Sequence, residues 1–176
     1  FYTLHQHQAR VMGDIGCYTL GGAPPLFAMD NNLCMGASVS MLHGFNKACG
    51  KESEQNTVAV IGDSTFMHTG VNSLMNMVYN NATGTVMILD NSTTGMTGGQ
   101  NSAGTGKIED ICRGVGVHPD HVRVVVPLPK NMEEIKNTIR EEIEYKGVSV
   151  IIPRRECIQT AKRHAKARAA AAAKKE

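Results

Sequence analysis

The chain has 176 residues, enough for one α/β domain with a hydrophobic core or for two very small domains. Hydrophobic residues make up 41% and charged residues 19%, and the formal net charge of +2 is too small to indicate a nucleic-acid partner. No apolar run approaches a membrane span and no signal peptide is visible, although the chain begins with Phe1 rather than Met, which leaves a removed leader open.

Five short segments predict buried β-strands, because they are rich in Val and Ile and apolar on both faces. Runs of this kind are typical of parallel sheets covered on both sides. In chain order they are 10–16, 56–63, 84–91, 122–127 and 148–152.

Helical patterns lie between these strands. The segment 36–48 predicts a helix that Gly50 can end, 71–78 predicts a second, and 131–147 predicts a third, with Asn131 as its N-cap and Gly147 just past its end. The alternation of strands and helices predicts an α/β protein, a three-layer, doubly wound sandwich with a mostly parallel sheet. The apolar stripes of the helices are Ala37, Met41 and Phe45; Val71, Leu74, Met75 and Val78; and Ile135, Ile139 and Ile143.

Three segments fall outside this alternation. Loops rich in Gly and polar residues occupy 17–37 and 91–107, and both follow the carboxyl ends of predicted strands, where open α/β sheets bind ligands. The basic, alanine-rich segment 157–176 is interpreted as a solvated tail or a helical linker. The five cysteines are scattered without a C-x-x-C pair. This favours reduced thiols in a cytoplasmic protein over a zinc or iron–sulfur site in this chain.

One polar pair at the ends of neighbouring strands suggests a metal site. Asp63 follows Gly62 at the end of the second predicted strand, and Asn91 follows Asp90 at the end of the third. Adjacent parallel strands lie about 4.8 Å apart, so the two side chains can meet at the sheet edge. A carboxylate, an amide oxygen and a backbone carbonyl suit Mg²⁺ with bound phosphates. The alternative for each residue is a helix cap or a turn former.

These residues also carry a family resemblance. The pair resembles the thiamine diphosphate motif, which runs from Gly-Asp-Gly to an Asn, except that Ser64 replaces the second glycine. The stretches GDIGCYTLG, CMGAS, GDSTFMHTG and LDNSTTGMTGGQ, with IEDICRGVGV and VSVIIPRREC, are similar in order to the alpha subunit of indolepyruvate:ferredoxin oxidoreductases. That group belongs to the 2-oxoacid:ferredoxin oxidoreductase family. The similarity covers about residues 11–157.

The resemblance implies a thiamine diphosphate-binding fold and assigns positions to a site. Asp63 and Asn91 would bind Mg²⁺ through their side chains, and Thr93 through its carbonyl oxygen. The implied cofactor contacts are Gly62, Ser64 and Thr65 at the diphosphate; Gly95, Met96 and Thr97 in a covering loop; Cys34, Met35 and Gly36 beside the thiazolium and aminopyrimidine; and Gly16, Cys17 and Tyr18 in a further wall.

Two histidines are candidate acid–base groups, because imidazole titrates near neutrality. His68 is preferred, since it lies five residues past Asp63 in the first turn of the following helix; its alternative role is a hydrogen bond within that turn. His43 is the weaker candidate. Cys17 and Cys34 have no base at a recognisable spacing and are interpreted as wall residues rather than nucleophiles.

The resemblance further implies oxidative decarboxylation of 2-oxo acids, such as the aryl pyruvate indolepyruvate, to acyl-coenzyme A, with electrons passed to ferredoxin. Residues 1–156 would be the thiamine diphosphate- and Mg²⁺-binding domain. A pyrimidine-binding domain and an iron–sulfur module would have to come from a missing part of the chain or from partner chains. A homo- or hetero-oligomer is therefore expected. Residues are also expected to be missing between FYTL (1–4) and HQHQARVMGD (5–14), because the family has more chain before the first strand.

Two alternatives stay open. A non-redox, thiamine-dependent 2-oxo acid decarboxylase subunit would share the same cofactor site. A non-catalytic module that keeps the fold is the other alternative, and it rests on Ser64 and on the absent partner domain.

Overall fold

A computed structural model describes residues 1–172, and it has a parallel β-sheet at its centre. Six strands pair in parallel in the order β2-β1-β3-β4-β8-β7, whereas β5 and β6 form a separate antiparallel hairpin. This confirms the predicted doubly wound, parallel α/β architecture. The strands are β1 (Arg10–Gly13), β2 (Asn31–Asn32), β3 (Thr57–Gly62), β4 (Gly84–Leu89), β5 (Thr93–Thr94), β6 (Gln100–Asn101), β7 (Val122–Val125) and β8 (Val148–Pro153).

Helices cover both faces of the sheet and complete the three layers. Leu42, Leu74 and Cys112, from α2, α5 and α6, pack in one hydrophobic cluster, and Leu4 and Ile139, from α1 and α7, pack in the other. The helices are α1 (Tyr2–Gln6), α2 (Ala37–Cys49), α3 (Lys51–Glu54), α4 (Asp63–Thr65), α5 (Val71–Tyr79), α6 (Ile108–Gly114), α7 (Met132–Glu144) and α8 (Ile158–Ala172).

Several details differ from the sequence prediction. The segments predicted as loops, 17–37 and 91–107, contain the short strand β2 and the β5–β6 hairpin. The strand predicted over 10–16 ends at Gly13, because the next residue, Asp14, turns its side chain to the loop that precedes α2. Asn131 precedes α7 without a side-chain cap bond, since its amide donates to the Val126 carbonyl oxygen at 3.0 Å instead. Met75 is 51% exposed and Met77 is buried in its place, because the inward face of α5 runs through positions three apart, 74 and 77.

All five cysteines are free thiols. The segment predicted as a tail or linker forms α8 up to Ala172, and residues 173–176 lie outside the described part. Within residues 1–172, no helix has both the length and the apolar character required to cross a bilayer.

Candidate functional site

The candidate site lies at the carboxyl ends of β1, β3 and β4. In the sheet register Gly62 pairs with Leu89, so Asp63 and the segment that starts at Asp90 leave the sheet side by side. Ser64 Oγ lies 2.8 Å from Thr94 Oγ1, which joins the two segments by a hydrogen bond. The structure therefore brings the segments that begin at Gly62 and Asn91 together at one edge of the sheet.

Asp63 has a buried carboxylate with unused capacity to accept hydrogen bonds or bind a cation. The residue is 3% exposed, and its Oδ1 accepts a hydrogen bond from the Ser64 N–H at 2.8 Å. Oδ2 is buried with no hydrogen-bond partner among the described residues. Burial raises the pKa of Asp63, and the Ser102 hydroxyl and the Ser64 amide offset part of this effect. The Ser102 hydroxyl lies near the carboxylate but does not meet the geometry of a hydrogen bond to Oδ2. A buried, unpaired carboxylate oxygen is energetically costly, and a bound cation would remove that cost.

Asn91 and Thr93 provide the other predicted Mg²⁺ ligands. Asn91 Oδ1 accepts a hydrogen bond from the Thr93 N–H at 3.0 Å, and the Thr93 hydroxyl donates to the Gln100 carbonyl oxygen at 2.8 Å. An amide oxygen has two lone pairs, so Asn91 keeps one free for a cation. Together with Asp63 Oδ2, these residues offer hard oxygen ligands, and this donor set fits Mg²⁺.

Tyr18 packs its ring closely against Gly62 and Gly16 beside the predicted site. A Cβ atom on Gly62 would lie 2.8 Å from Tyr18 Cε1, and one on Gly16 would collide with the same ring. The Tyr18 hydroxyl donates to the Ile15 carbonyl oxygen at 3.2 Å, and burial raises the pKa of Tyr18 to about 12. The glycines are thus required by Tyr18 itself, and a diphosphate contact at Gly62 stays a prediction.

Asp14 organises the wall that contains Cys34, Met35 and Gly36. This side chain is completely buried, and its carboxylate accepts hydrogen bonds from the backbone N–H groups of Ile15 at 2.7 Å, Gly36 at 2.8 Å and Ser38 at 3.3 Å. The sequence analysis missed this residue. A signal was present, since the Gly-Asp pair in VMGDIG repeats the Gly-Asp pair of VIGDS at the end of a neighbouring strand.

The wall residues differ in what they contact. Cys17 Sγ lies 3.6 Å from the position that a Cβ atom on Gly95 would take, so the loop after β1 touches the turn between β5 and β6. Cys34 is exposed, Met35 is 57% exposed and Met96 is 71% exposed. The predicted site is therefore open on the side of these residues.

The two candidate histidines lie apart from this network. His68 is exposed in the π-helical turn Phe66–Gly70, between α4 and α5. His43 lies within α2, where burial, and secondarily Lys47, lower its pKa. Exposure leaves His68 accessible to a ligand, and its catalytic role stays a prediction.

A second buried carboxylate was also missed by the sequence analysis. Asp90 is 2% exposed and forms an ion pair with Arg154, whose guanidinium also pairs with Glu109. No local pattern connects these three positions. Within the described residues, no cluster of three or more His, Cys, Asp or Glu side chains has the arrangement of a metal site. This is compatible with a set of one carboxylate, one amide and one carbonyl.

Comparison with known families agrees with this geometry. Residues 14–152 match the model of the family described as thiamine pyrophosphate enzyme, C-terminal TPP binding domain. The chain belongs to this family. The match begins at Asp14 and includes both segments that meet at the sheet edge, so the binding-domain family and the candidate site coincide in the chain.

Similar sequences support a narrower relationship for this TPP binding domain. It is 43% identical over 160 residues to the indolepyruvate oxidoreductase subunit IorA of Archaeoglobus fulgidus and 40% identical over 164 residues to that of Pyrococcus horikoshii. The first alignment covers 85% of this chain and 24% of the relative, and the second covers 82% and 25%. The chain thus spans about a quarter of the length of these curated relatives.

Solved structures share the fold of this TPP binding domain. A 2-oxoglutarate:ferredoxin oxidoreductase from Magnetococcus marinus matches with a TM-score of 0.63 and 16% identity, over 86% of this chain and 55% of that one. A thiamine diphosphate-dependent 4-hydroxybenzoylformate decarboxylase from Rhodococcus jostii RHA1 matches with a TM-score of 0.58 and 15% identity, over 84% and 29%. At such identities the likeness shows the fold alone.

Proposed function

We propose that this chain is the thiamine diphosphate- and Mg²⁺-binding part of an oxidoreductase that oxidatively decarboxylates 2-oxo acids to acyl-coenzyme A and passes electrons to ferredoxin. The observation that carries the proposal is the buried Oδ2 of Asp63, which has no hydrogen-bond partner within residues 1–172 and lies beside the loop that holds Asn91. The 43% identity to an indolepyruvate oxidoreductase subunit supports aryl pyruvates such as indolepyruvate as substrates.

Specific residues would hold the cofactor in this proposal. Asp63 and Asn91 would bind Mg²⁺ through side-chain oxygens, and Thr93 through its carbonyl. The Ser64 hydroxyl, already bonded to Thr94, would be positioned to face the diphosphate. When bound, the cofactor would supply the carbanion chemistry at the substrate carbonyl carbon.

The open side of the site would receive the reacting groups. Met35 and Met96 present exposed apolar surface on which a cofactor ring or a partner could pack. The other residues that the family resemblance assigns to the cofactor are proposed in those same roles. His68 would hold or move a proton at its imidazole, since it is exposed and carries no hydrogen bond among the described residues.

Partners complete the proposal. Iron–sulfur clusters and a pyrimidine-binding domain with its activating glutamate would come from other parts of the protein or from other chains in an oligomer. Coenzyme A and ferredoxin would bind as separate molecules. The chain's quarter share of its relatives' length is consistent with this. A cytoplasmic location is supported by the five free thiols. The division at 156/157 into a binding domain and a tail or linker is also a proposal.

Binding of thiamine diphosphate to the full chain, titrated calorimetrically with and without Mg²⁺, tests the metal site. Loss of a residue that supports a metal ligand typically costs roughly 10- to 100-fold in metal affinity. Because Asp63 is itself a proposed ligand, we expect Asp63→Asn to weaken Mg²⁺-dependent binding by at least that factor. Asp110→Asn is the matched control, because that side chain is 84% exposed on α6. Unchanged binding in Asp63→Asn would contradict the metal assignment.

The reaction class needs a separate measurement. The native complex should contain thiamine diphosphate, Mg²⁺ and iron by mass spectrometry and should reduce a low-potential dye when given indolepyruvate and coenzyme A. Decarboxylation without iron or dye reduction would favour the non-redox decarboxylase instead. Absence of both activities with an intact fold would favour a non-catalytic module.

A further inference from the structure

Arg154, the residue after β8, joins two elements at the carboxyl edge of the sheet. Its Nε donates to Asp90 Oδ2 at 2.6 Å, and its Nη1 and Nη2 donate to the Glu109 carboxylate at 2.8 Å and 2.6 Å. The planar guanidinium permits this two-pronged contact with Glu109, which a lysine could not reproduce. The end of β4 is thereby linked to the first turn of α6.

Asp90, the first of these partners, is fixed by its backbone as well as by its side chain. Its N–H donates to the Pro153 carbonyl oxygen at 3.1 Å, and its own carbonyl oxygen accepts from the Arg155 N–H at 2.9 Å. The Asp90 side chain is 1% exposed, so the carboxylate requires a partner for its charge, and Arg154 supplies it.

The fixed carboxylate shapes the residues that follow, 90–93, which we call the metal loop. Ser92 has a φ of +59°, a left-handed conformation that is unfavourable for a residue with a side chain. Asp90 Oδ1 accepts a hydrogen bond from the Ser92 N–H at 3.0 Å and stabilises this turn. This turn directs the Thr93 N–H to Asn91 Oδ1, to which it donates a hydrogen bond at 3.0 Å.

We propose that Arg154 is a positioning residue for the metal loop. It holds the Asp90 side chain, Asp90 holds the turn at Ser92, and the turn places Asn91 and Thr93. The identity of the ion rests on the proposed function, whereas the ordering of the loop does not. Loss of Arg154 should therefore loosen the loop and weaken Mg²⁺ binding, although Arg154 is itself no predicted ligand.

The test compares Arg154→Met with Arg123→Met in the full chain. Arg123 is a matched control, because it also pairs with a buried carboxylate, that of Glu142 at 3.3 Å, but lies on β7. Both variants should lose stability, since each removes a guanidinium from a buried carboxylate, but the loss should be smaller in Arg123→Met, where Glu142 keeps its contact with His121 Nδ1 at 2.8 Å. Only Arg154→Met should speed hydrogen exchange at the Ser92 and Thr93 amides, by about tenfold, which corresponds to the contribution of one hydrogen bond.

Mg²⁺ affinity in the presence of thiamine diphosphate gives the second readout. Arg154→Met should lower it by about 10- to 100-fold, whereas Arg123→Met should leave it unchanged. Glu109→Gln, which keeps the bond between Arg154 and Asp90, should change both readouts in the same direction but less. If Arg154→Met does not fold, faster exchange at Ser92 and Thr93 in Glu109→Gln supports the inference, and unchanged exchange overturns it.

The outcomes separate this inference from the proposed function. If the parent chain binds no Mg²⁺ with thiamine diphosphate, the proposed function fails, while exchange at the two loop amides still decides whether Arg154 orders the loop. Equal exchange at these amides in Arg154→Met and Arg123→Met would overturn the inference. So would a parent-like Mg²⁺ affinity in a folded Arg154→Met protein.

Discussion

At the scale of single residues, two aspartates that follow a glycine at a strand end have opposite energetic roles. The Asp14 carboxylate accepts backbone hydrogen bonds from Ile15, Gly36 and Ser38, so its burial is compensated. Asp63 is buried with one oxygen unpaired, and burial raises its pKa. A group that is uncompensated in the free fold is typical of a binding site, where stability is lost in favour of function.

This contrast predicts opposite effects of the same substitution. In metal-free protein at neutral pH, Asp63→Asn should raise the free energy of unfolding by about 1 kcal/mol, because it removes an uncompensated buried charge, whereas Asp14→Asn should lower it by about 2 kcal/mol. Urea unfolding monitored by circular dichroism measures both. A destabilised Asp63→Asn protein would contradict the assignment.

The same measurement has a predicted pH dependence. The pKa of Asp63 in the folded state lies above its ordinary value of 3.8. The folded state therefore bears the free-energy penalty of a buried charge at any pH at which the carboxylate is ionised in both the folded and the unfolded state. The penalty fades as the pH falls through the folded pKa and is gone below 3.8, where both states are protonated. The advantage of Asp63→Asn over the parent should therefore shrink on acidification.

At the scale of elements, the start of α2 determines where one wall of the site lies. Gly36 has a φ of +89°, which favours glycine, and a Cβ atom there would collide with the Thr69 hydroxyl group. Thr69 belongs to the turn after α4 and donates to the Thr65 carbonyl oxygen at 3.3 Å. The close approach at Gly36 therefore packs the loop of Cys34 and Met35 against the segment that follows Asp63.

Two glycines near and within α2 provide a matched test. Gly36→Ala should lower the free energy of unfolding by about 2 kcal/mol or more, because left-handed strain and the collision with Thr69 add. Gly44→Ala should raise it by about 0.5–1 kcal/mol, since a Cβ at this position meets nothing within 4 Å and alanine favours helix. Thermal unfolding of both variants measures the difference. Equal free energies of unfolding for the two variants would show that the contact between Gly36 and Thr69 does not require glycine.

At the scale of the whole molecule, large apolar side chains are exposed around the candidate site. They lie in the loops that follow β1 and β2 and in the turn between β5 and β6, close in the sequence to residues that the proposed cofactor would contact. Such a grouping is typical of an interaction surface rather than of a solvated one. The members are Ile15 at 39%, Leu20 at 75%, Leu33 at 72%, Met35 at 57% and Met96 at 71% exposure. This surface supports the proposed oligomer.

Substitution on this surface should weaken assembly of the native complex. Leu33→Asp is expected to lower the association constant by about tenfold or more, because burial of one large apolar side chain contributes about 1.5–3 kcal/mol. Tyr79→Asp is the control, since Tyr79 is 84% exposed at the far end of α5. Analytical ultracentrifugation of the complexes measures the effect. Equal association constants for the two variants would exclude this surface as the interface.

Some of this architecture follows from local patterns. The apolar runs of Val and Ile were sufficient to locate the five main strands, because a strand buried on both faces leaves a continuous signature. The pair Asp63 and Asn91 could be placed at one edge, since parallel strands end on the same side of a sheet. The inward face of α5 was assigned wrongly at Met75, because a short apolar stretch fits more than one helical face.

The sequence by itself determined the parallel sheet, the order of its layers and the edge at which the candidate ligands meet. Only the tertiary structure decided which polar groups there are satisfied. The Asp14 carboxylate accepts hydrogen bonds from a loop more than twenty positions away, whereas Asp63 Oδ2 has no hydrogen-bond partner among the described residues. The Arg154 guanidinium donates to Asp90 and Glu109, which lie far before it in the chain. Hydrogen-bond satisfaction depends on contacts between distant segments, and periodicity within one segment carries no information about such contacts.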